Sequence, residues 1–216
     1  MNSYFLFFSH FLKSPKTVGA AAPLSQGVIN QIVKHLKKRI RLSAVRILEV
    51  GAGIGNVTHS ITKLLLPQDQ LDIVEINPEY CQFLDQRFGK NTNVSIHCVS
   101  VIDWVPIQPY DFIISTLPFN SFDPLFVERI FAHYTKLLKP NGVLSYVEYM
   151  GLQDINLAFS KGKKRKIIHQ RKHLLQDLQR RCLIEKKQIF SNFLPCNIYH
   201  MSMHNKVIRK ELAKKS

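Results

Sequence analysis

The chain has 216 residues, 45% of them hydrophobic, and a formal net charge of +15 at pH 7. This length suffices for one α/β domain, the apolar content favours a packed core over disorder, and no apolar run approaches the roughly 18 residues of a transmembrane helix. A surface this basic favours an anionic partner, either a nucleic acid or an acidic membrane face, over lysines that are merely solvated.

The cysteines give no sign of a metal site, because Cys81, Cys98, Cys182 and Cys196 form neither a CxxC pair nor a cluster with histidines. Zinc sites usually show such spacing. Cytosolic proteins keep their thiols reduced. We therefore expect four reduced, mostly buried thiols, with no disulfide and no bound metal.

Residues 1–24 are unlike the rest of the chain, and we interpret them as an amphipathic N-terminal arm. Tyr4, Phe7, Phe8 and Phe11 recur at the spacing of one helical face. The segment lacks the positive start and the uninterrupted apolar region of a signal peptide. Two interpretations stay open: the helix packs on the protein's own core, or it lies in a bilayer interface. Aromatic residues with a basic flank favour the interface.

Residues 25–204 alternate short apolar runs with helical patterns, and residues 205–216 form a basic tail. Such alternation predicts an α/β fold with a Rossmann-like, seven-stranded, mostly parallel sheet and an antiparallel terminal strand. The predicted strands are 45–50, 71–75, 94–98, 112–114, 143–149, 183–190 and 199–203, with a basic helix at 161–181.

The most informative segment follows the first predicted strand. Glu49 is followed by three glycines at alternate positions, Gly51, Gly53 and Gly55, which open a helix. The second strand ends in another carboxylate, Glu75. Glycines let the backbone turn sharply and approach a ligand closely, and a carboxylate at the next strand tip can accept hydrogen bonds from ribose hydroxyls. Together they predict a nucleoside-containing cofactor across the carboxyl ends of a parallel sheet.

A dinucleotide fingerprint would require a third glycine where Asn56 stands. The pattern here, Glu-x-Gly-x-Gly-x-Gly, instead resembles motif I of class I S-adenosylmethionine (SAM) methyltransferases. The resemblance implies a class I methyltransferase fold and SAM as the cofactor. It also implies that Glu49 and the three glycines belong to the cofactor site and that Glu75 holds the ribose.

The exits of the third and fourth strands complete the expected cofactor site, because ligands of open α/β sheets lie beyond the carboxyl ends of the strands. Many relatives carry an adenine-binding Asp at the position that aligns with Ser100, and Asp103 follows one turn later. Either residue is therefore a candidate for the adenine contact. The fourth strand contributes Ser115, Thr116 and Leu117.

Residues 115–120, Ser-Thr-Leu-Pro-Phe-Asn, are similar to the Asn-Leu-Pro-Tyr motif of rRNA adenine dimethylases, in which the Asn helps to hold the amine of a flipped base. Thr116 takes the position of that Asn. A threonine hydroxyl cannot present the planar donor and acceptor edge of a carboxamide. An rRNA adenine N6-methyltransferase is therefore the alternative, and a SAM-fold binding module without catalysis is a second one.

The chain as a whole resembles bacterial phospholipid N-methyltransferases and the related ornithine-lipid N-methyltransferases. The resemblance is carried by the Lys-Ser-Pro-Lys-Thr-Val-Gly-Ala segment at 13–20, by motif I, and by the segments 115–122 and 144–149. It implies an enzyme that docks on the cytoplasmic face of the membrane and methylates the headgroup amine of phosphatidylethanolamine or an ornithine lipid. We expect a cytoplasmic monomer that is peripherally associated with this membrane face.

Two features bear on this substrate. Residues 161–187 carry eleven Lys/Arg against only Asp177 and Glu185, and such charges could contact headgroup phosphates or an RNA backbone.

An alkyl amine, with a pKa near 10.4, must also lose a proton before it accepts a methyl group. Our candidates for catalysis, by handling this amine, are Glu148 and Tyr149 at the end of the fifth strand, with Asn120 at the fourth. A structural role, with Tyr149 in the core and Glu148 paired to a lysine, stays open.

Overall fold

The protein is represented by a computed structural model that describes residues 24–39, 43–151, 156–192 and 194–203. The predicted arm, except Leu24, and the predicted basic tail lie outside the described residues. Within the described ranges, no helix combines the length and the apolar character needed to cross a membrane.

The domain is built on one seven-stranded sheet, as predicted. Its strands are β1 (Arg46–Val50), β2 (Gln70–Glu75), β3 (Val94–Cys98), β4 (Tyr110–Ser115), β5 (Leu138–Tyr149), β6 (Leu183–Ile189) and β7 (Cys196–Ser202), and they lie in the order β3-β2-β1-β4-β5-β7-β6. Strands β1 to β5 pair in parallel, whereas β7 pairs antiparallel with both β5 and β6. The antiparallel strand is thus inserted between two others and does not form the edge.

Helices cover both faces of the sheet: α1 (Gln26–Ile32), α2 (Lys34–Lys37), α3 (Asn56–Thr62), α4 (Pro78–Phe88), α5 (Pro124–Leu137) and α6 (Gly162–Cys182). A short 3₁₀ turn, Val101–Asp103, follows β3. Two helices begin at a side-chain cap, because Asn77 accepts a hydrogen bond from the Glu79 amide and Asp123 from the Leu125 amide. Each cap stands before a proline, which suits the first helical turn.

The central strands are buried on both faces, as expected for a parallel sheet between two helical layers. Leu48 and Val50 of β1 pack with residues of α5 and α6, whereas Ile47 packs on the opposite side with residues of α1, α3 and α4. This rigid platform holds the carboxyl ends of β1, β2 and β4 side by side.

Strand β5 begins five residues before the predicted start at 143. Leu138 pairs with Tyr110, and the register then shifts before Val143 pairs with Phe112. The shift spans Pro140, which has no amide to donate to a regular ladder. From the local sequence, the proline predicts that the strand begins after it. Pairing with the neighbouring strand nevertheless keeps the segment extended.

The prediction of four reduced thiols is wrong for one pair. Cys81 of α4 and Cys98 at the end of β3 form a disulfide, with their Cα atoms 5.8 Å apart. Their separation of 17 residues carries no recognisable spacing, and only the packing of α4 beside β3 brings them together. Cys182 and Cys196 are free and buried, as predicted.

Candidate functional site

A crevice with a cavity volume of about 30 Å³ lies at the carboxyl ends of β1, β2 and β4 and opens to solvent. The crevice is mainly apolar, and its lining residues are Val50, Gly51, Val74, Glu75, Ile76, Ser100, Val101, Leu117, Phe122, Phe126 and Ile130.

The glycine-rich loop after β1 requires glycine for two different reasons. Gly51, Gly53 and Gly55 all have positive φ, at 75°, 56° and 82°, a conformation that disfavours other residues. A Cβ on Gly51 would lie 2.9 Å from Leu117 Cδ2, and a Cβ on Gly55 would lie 2.6 Å from Phe88 Cε2. A Cβ on Gly53 would meet no atom within 4 Å. The space in front of Gly53 is therefore open to a ligand.

Glu75 is held at the tip of β2 by backbone amides. Its Oε2 accepts a hydrogen bond from Gly53 N at 3.0 Å, and its Oε1 accepts bonds from Ile76 N at 2.8 Å and Asn77 N at 3.0 Å. A carboxylate offers about four acceptor positions. The fixed carboxylate therefore keeps acceptor capacity beside the crevice, as a ribose contact requires.

Glu49 is fully buried next to the glycine-rich loop. Burial raises its pKa to about 8, the Thr58 hydroxyl and amide oppose this rise as nearby donors, and the negative charge of Glu75 adds to it. Neither carboxyl oxygen completes a hydrogen bond of regular geometry with any described residue, so Thr58 satisfies the carboxyl group only weakly. A buried acceptor without a donor is costly, so this position suits a ligand that brings a cationic or hydrogen-bonding group.

The remaining predicted cofactor residues take different places. Ser100 lines the crevice, whereas Asp103 is exposed and is not among the lining residues; the geometry thus favours Ser100 for the adenine contact. Thr116 Oγ1 donates to Gly51 O at 2.6 Å, which ties the glycine-rich loop to β4. Ser115 is fully buried and accepts a bond from the Tyr134 hydroxyl at 2.9 Å. Leu117 lies in the lining itself.

The three residues predicted for catalysis lie at the ends of β4 and β5, but their side chains do not converge, because the Tyr149 side chain packs in the core on the Ile47 side of the sheet whereas Glu148 contacts α6. Asn120 Nδ2 donates to Tyr149 O at 2.9 Å and is buried. Glu148 Oε2 accepts a bond from Gln179 Nε2 at 3.2 Å, and the same nitrogen lies 2.8 Å from the Tyr146 hydroxyl. Burial raises the pKa of Tyr149, so its phenol stays protonated at neutral pH. Glu148 is therefore the better candidate to accept a proton.

Helix α6 supplies two groups that the sequence reasoning missed. Gln179 binds Glu148, and Arg171 Nη1 donates to Phe122 O at 2.8 Å. A signal for Arg171 was present, because it shares a helical face with the buried Ile168, Leu175 and Leu178. Charged residues are rarely buried, so a cation on an otherwise apolar helix face is unusual, and the sequence pattern alone was enough to mark Arg171 as a candidate functional residue.

Comparisons with known proteins agree with this geometry. Residues 47–142, which include the glycine-rich loop, Glu75 and the exit of β4, match a family model described as a methyltransferase domain. The chain is 24% identical over 156 residues to an ornithine lipid N-methyltransferase of Singulisphaera acidiphila, covering 69% of this chain and 80% of that protein. It is 28% identical over 156 residues to a malonyl-[acyl-carrier protein] O-methyltransferase of Acetivibrio thermocellus, covering 70% of this chain and 52% of that protein.

Among solved structures, the fold is similar to that of the N-methyltransferase NodS from Bradyrhizobium japonicum WM9 in complex with S-adenosyl-L-homocysteine (SAH). The TM-score is 0.62 at 15% identity, and the alignment covers 93% of this chain and 98% of that one. The open space before Gly53, the fixed Glu75 carboxylate and the weakly satisfied Glu49 oxygens all fit a cofactor of this class.

Proposed function

We propose that this SAM-dependent methyltransferase transfers methyl groups to the headgroup amine of a membrane aminolipid, either phosphatidylethanolamine or an ornithine lipid, at an anionic membrane face. The cofactor supplies an activated methyl group. The loop of Gly51 and Gly53 would hold it, with Glu75 on its ribose and Glu49 near its amino-acid end. The protein's remaining task is to bring the amine into line and to remove its proton.

The observation that carries this proposal is the electrostatics of α6. Its first turns contain four consecutive exposed cations, Lys163, Lys164, Arg165 and Lys166, which we call the α6 basic patch. The first turn has no acidic residue, and no side chain caps the helix. Cations at a helix N-terminus oppose the helix dipole, so an external anion would stabilise this arrangement. Because α6 follows β5, the patch lies at the same edge of the sheet as the crevice.

Exposed apolar side chains accompany the patch. Phe159, just before α6, is 87% exposed, and Leu125 in the first turn of α5 is 71% exposed. The bond from Arg171 to Phe122 O keeps α6 against the loop that leads into α5. Apolar groups beside cations are typical of surfaces that lie in a bilayer interface. Each Lys or Arg near an anionic leaflet contributes about 1 kcal/mol, so the patch fits reversible membrane binding.

Glu148 supports amine chemistry at this site. Its carboxylate lies at the end of β5, where Gln179 orients one oxygen. A substrate ammonium must lose its proton before it attacks the methyl carbon, and a nearby carboxylate can accept that proton during the reaction. The similarity to an ornithine lipid N-methyltransferase agrees with an amine substrate.

The direct test is methyl transfer from labelled SAM to vesicles that contain phosphatidylethanolamine or ornithine lipid. Vesicles of phosphatidylcholine and phosphatidylglycerol, which lack a primary amine, are the control. We expect label in the aminolipid vesicles alone. Label in RNA, or in no acceptor of a cell extract despite SAH binding, would reject the proposal in favour of a nucleic-acid methyltransferase or a binding module.

A second candidate is methyl transfer to a carboxyl group on an acyl carrier protein, because four curated relatives are named malonyl-[acyl-carrier protein] O-methyltransferases. This chain spans 52–61% of the length of those proteins. A carboxylate is already a nucleophile and needs no proton acceptor. Label transferred to malonyl-acyl carrier protein and not to lipid would therefore select this reaction, and the variant Glu148→Gln would then keep its activity.

A further inference from the structure

Arg171 is a buried cation on an otherwise apolar face of α6. It lies in the third turn of α6 and is only 5% exposed. Its neighbours on the helix face are the apolar residues Ile168 and Leu175. Removing a guanidinium from water is unfavourable unless hydrogen bonds and counter-charges replace the lost solvation. The described part of the chain supplies them only in part.

The contacts of Arg171 leave its charge incompletely satisfied. Nη1 donates to Phe122 O, but Nε has no acceptor among the described residues. Burial lowers the pKa of Arg171, while the carboxylates of Glu148 and Asp123 oppose that effect. Neither carboxylate forms an ion pair with Arg171, although ion pairs occur elsewhere in the described chain, as between Arg46 and Asp72. The bond from Nη1 to the Phe122 carbonyl oxygen therefore leaves the Nε donor available for a second acceptor.

The position of Arg171 relates it to the reacting groups. Phe122, whose carbonyl it binds, lines the crevice. Gln179, which orients Glu148, lies eight residues later on the same helix, about 12 Å along the axis. Arg171 and Glu148 are thus held by one helix and the adjoining strand end, behind the crevice that Phe122 lines, and neither side chain is among the lining residues. A substrate with an amine and an anion a few atoms apart would complement both.

We infer that Arg171 is an anion subsite, which binds the phosphate or carboxylate of a zwitterionic substrate while the substrate amine lies toward Glu148. This inference rests on the proposed function for the identity of the substrate class. Both proposed lipids meet the requirement, because one carries a phosphate and the other a free carboxylate beside an amine. A guanidinium suits either anion, since its planar fork matches both geometries.

The kinetic test compares Arg171→Met and Arg171→Lys with wild type, and Arg180→Met, an exposed cation in the last turn of α6, is the matched control. The acceptors are phosphatidylethanolamine vesicles, ornithine-lipid vesicles and vesicles that contain a long-chain alkylamine without an anion. We expect Arg171→Met to raise KM for the zwitterionic lipids at least about tenfold, and the alkylamine KM to stay near the wild-type value. Arg171→Lys should recover part of the loss. An equal loss on all acceptors, or no loss, overturns the inference.

A binding test separates this inference from the proposed function. Calorimetry on the SAH-loaded protein uses two soluble probes, glycerophosphoethanolamine with its phosphate and Nα-acetylornithine with its carboxylate. Binding by wild type and Arg180→Met, with loss in Arg171→Met, supports the subsite even if wild type methylates no lipid, which would reject only the proposed function. Binding of neither probe, or equal binding by Arg171→Met, rejects the subsite and leaves lipid methylation standing. If Arg171→Met does not fold by circular dichroism, Arg171→Lys decides the result.

Discussion

The Glu75 carboxylate accepts a 3.0 Å hydrogen bond from the Gly53 amide, which joins the tip of β2 to the glycine-rich loop after β1. The two sequence signals for a nucleoside cofactor are therefore one structural unit. Glu75 also binds the Ile76 and Asn77 amides, so it fixes its own strand tip as well as the loop. Changes to this unit should affect cofactor binding more than folding.

Replacing Glu75 with Gln should weaken SAH binding by about 10- to 100-fold, because a hydrogen bond to a charged group contributes about 1.5–3 kcal/mol. The measurement is isothermal titration calorimetry with SAH, with circular dichroism as the check on folding. Glu79→Gln, an exposed acidic residue in the first turn of α4, is the control. Unchanged affinity in Glu75→Gln would rule out its role on the ribose.

Substitutions at Gly53 and Gly55 should affect SAH affinity and folding stability to different extents. Gly53→Ala strains a positive φ by about 1–2 kcal/mol but meets no atom, so we expect a folded protein with reduced SAH affinity. Gly55→Ala places its Cβ against Phe88 and should lose about 1–3 kcal/mol more to overpacking. Urea unfolding and calorimetry measure the two effects. The reverse order of stabilities would contradict this assignment.

The buried Glu49 should make the cofactor-free protein less stable as pH rises. Its pKa is about 8 in the folded state against 4.5 for an ordinary Glu, so the folded state keeps a proton that the unfolded state releases between these values. The stabilisation is complete below pH 4.5 and is lost as pH rises toward 8, at about 1.4 kcal/mol per pH unit within the window.

Glu49→Gln isolates this effect, since other groups titrate equally in both proteins. The free energy of unfolding in urea at pH 5, 6 and 7 should fall more steeply with pH in wild type than in Glu49→Gln. Parallel curves would show that Glu49 is ionised in the folded protein.

The disulfide should be visible by thiol labelling. In the purified protein, Cys81 and Cys98 should resist alkylation even after unfolding and should react only after reduction, whereas Cys182 and Cys196 should react on unfolding alone. Closing a loop of this length contributes about 3 kcal/mol in the chain-entropy account, so reductant should lower the unfolding midpoint. Mass spectrometry that finds all four thiols labelled without reductant would contradict the pairing.

Neutralising the α6 basic patch with glutamines should weaken binding to phosphatidylglycerol vesicles by about 100- to 1,000-fold, because each cation contributes about 1 kcal/mol. Sedimentation with vesicles at low salt measures this, and added salt should weaken wild type more than the variant. The control is Lys63→Gln with Lys90→Gln, which lie after α3 and α4 at the opposite edge of the sheet. Equal losses in both variants would mean that the patch has no special role.

Much of the fold was predictable from local patterns. The run of β1, the glycines after it and Glu75 at the next strand tip lie within 29 residues of each other, and their spacing already indicates both a βα turn and a nucleoside site. The α/β alternation likewise predicted the seven strands, because the period of apolar residues depends on local backbone geometry. Strand β5 was predicted too short, since Leu138, which precedes Pro140, already pairs with Tyr110 of β4, 28 residues earlier.

The sequence by itself determined the class of cofactor, because motif I is encoded by neighbouring residues whose backbone must turn at one place. The tertiary structure alone decided which side chains meet across elements: Cys81 with Cys98, Thr116 with the Gly51 carbonyl, and Arg171 with the Phe122 carbonyl 49 residues earlier. These contacts depend on how helices pack on the sheet, and packing brings together residues whose separation in sequence carries no periodic signal. For that reason, the contact between Arg171 and the Phe122 carbonyl, on which the proposed anion subsite depends, emerged only from the folded chain.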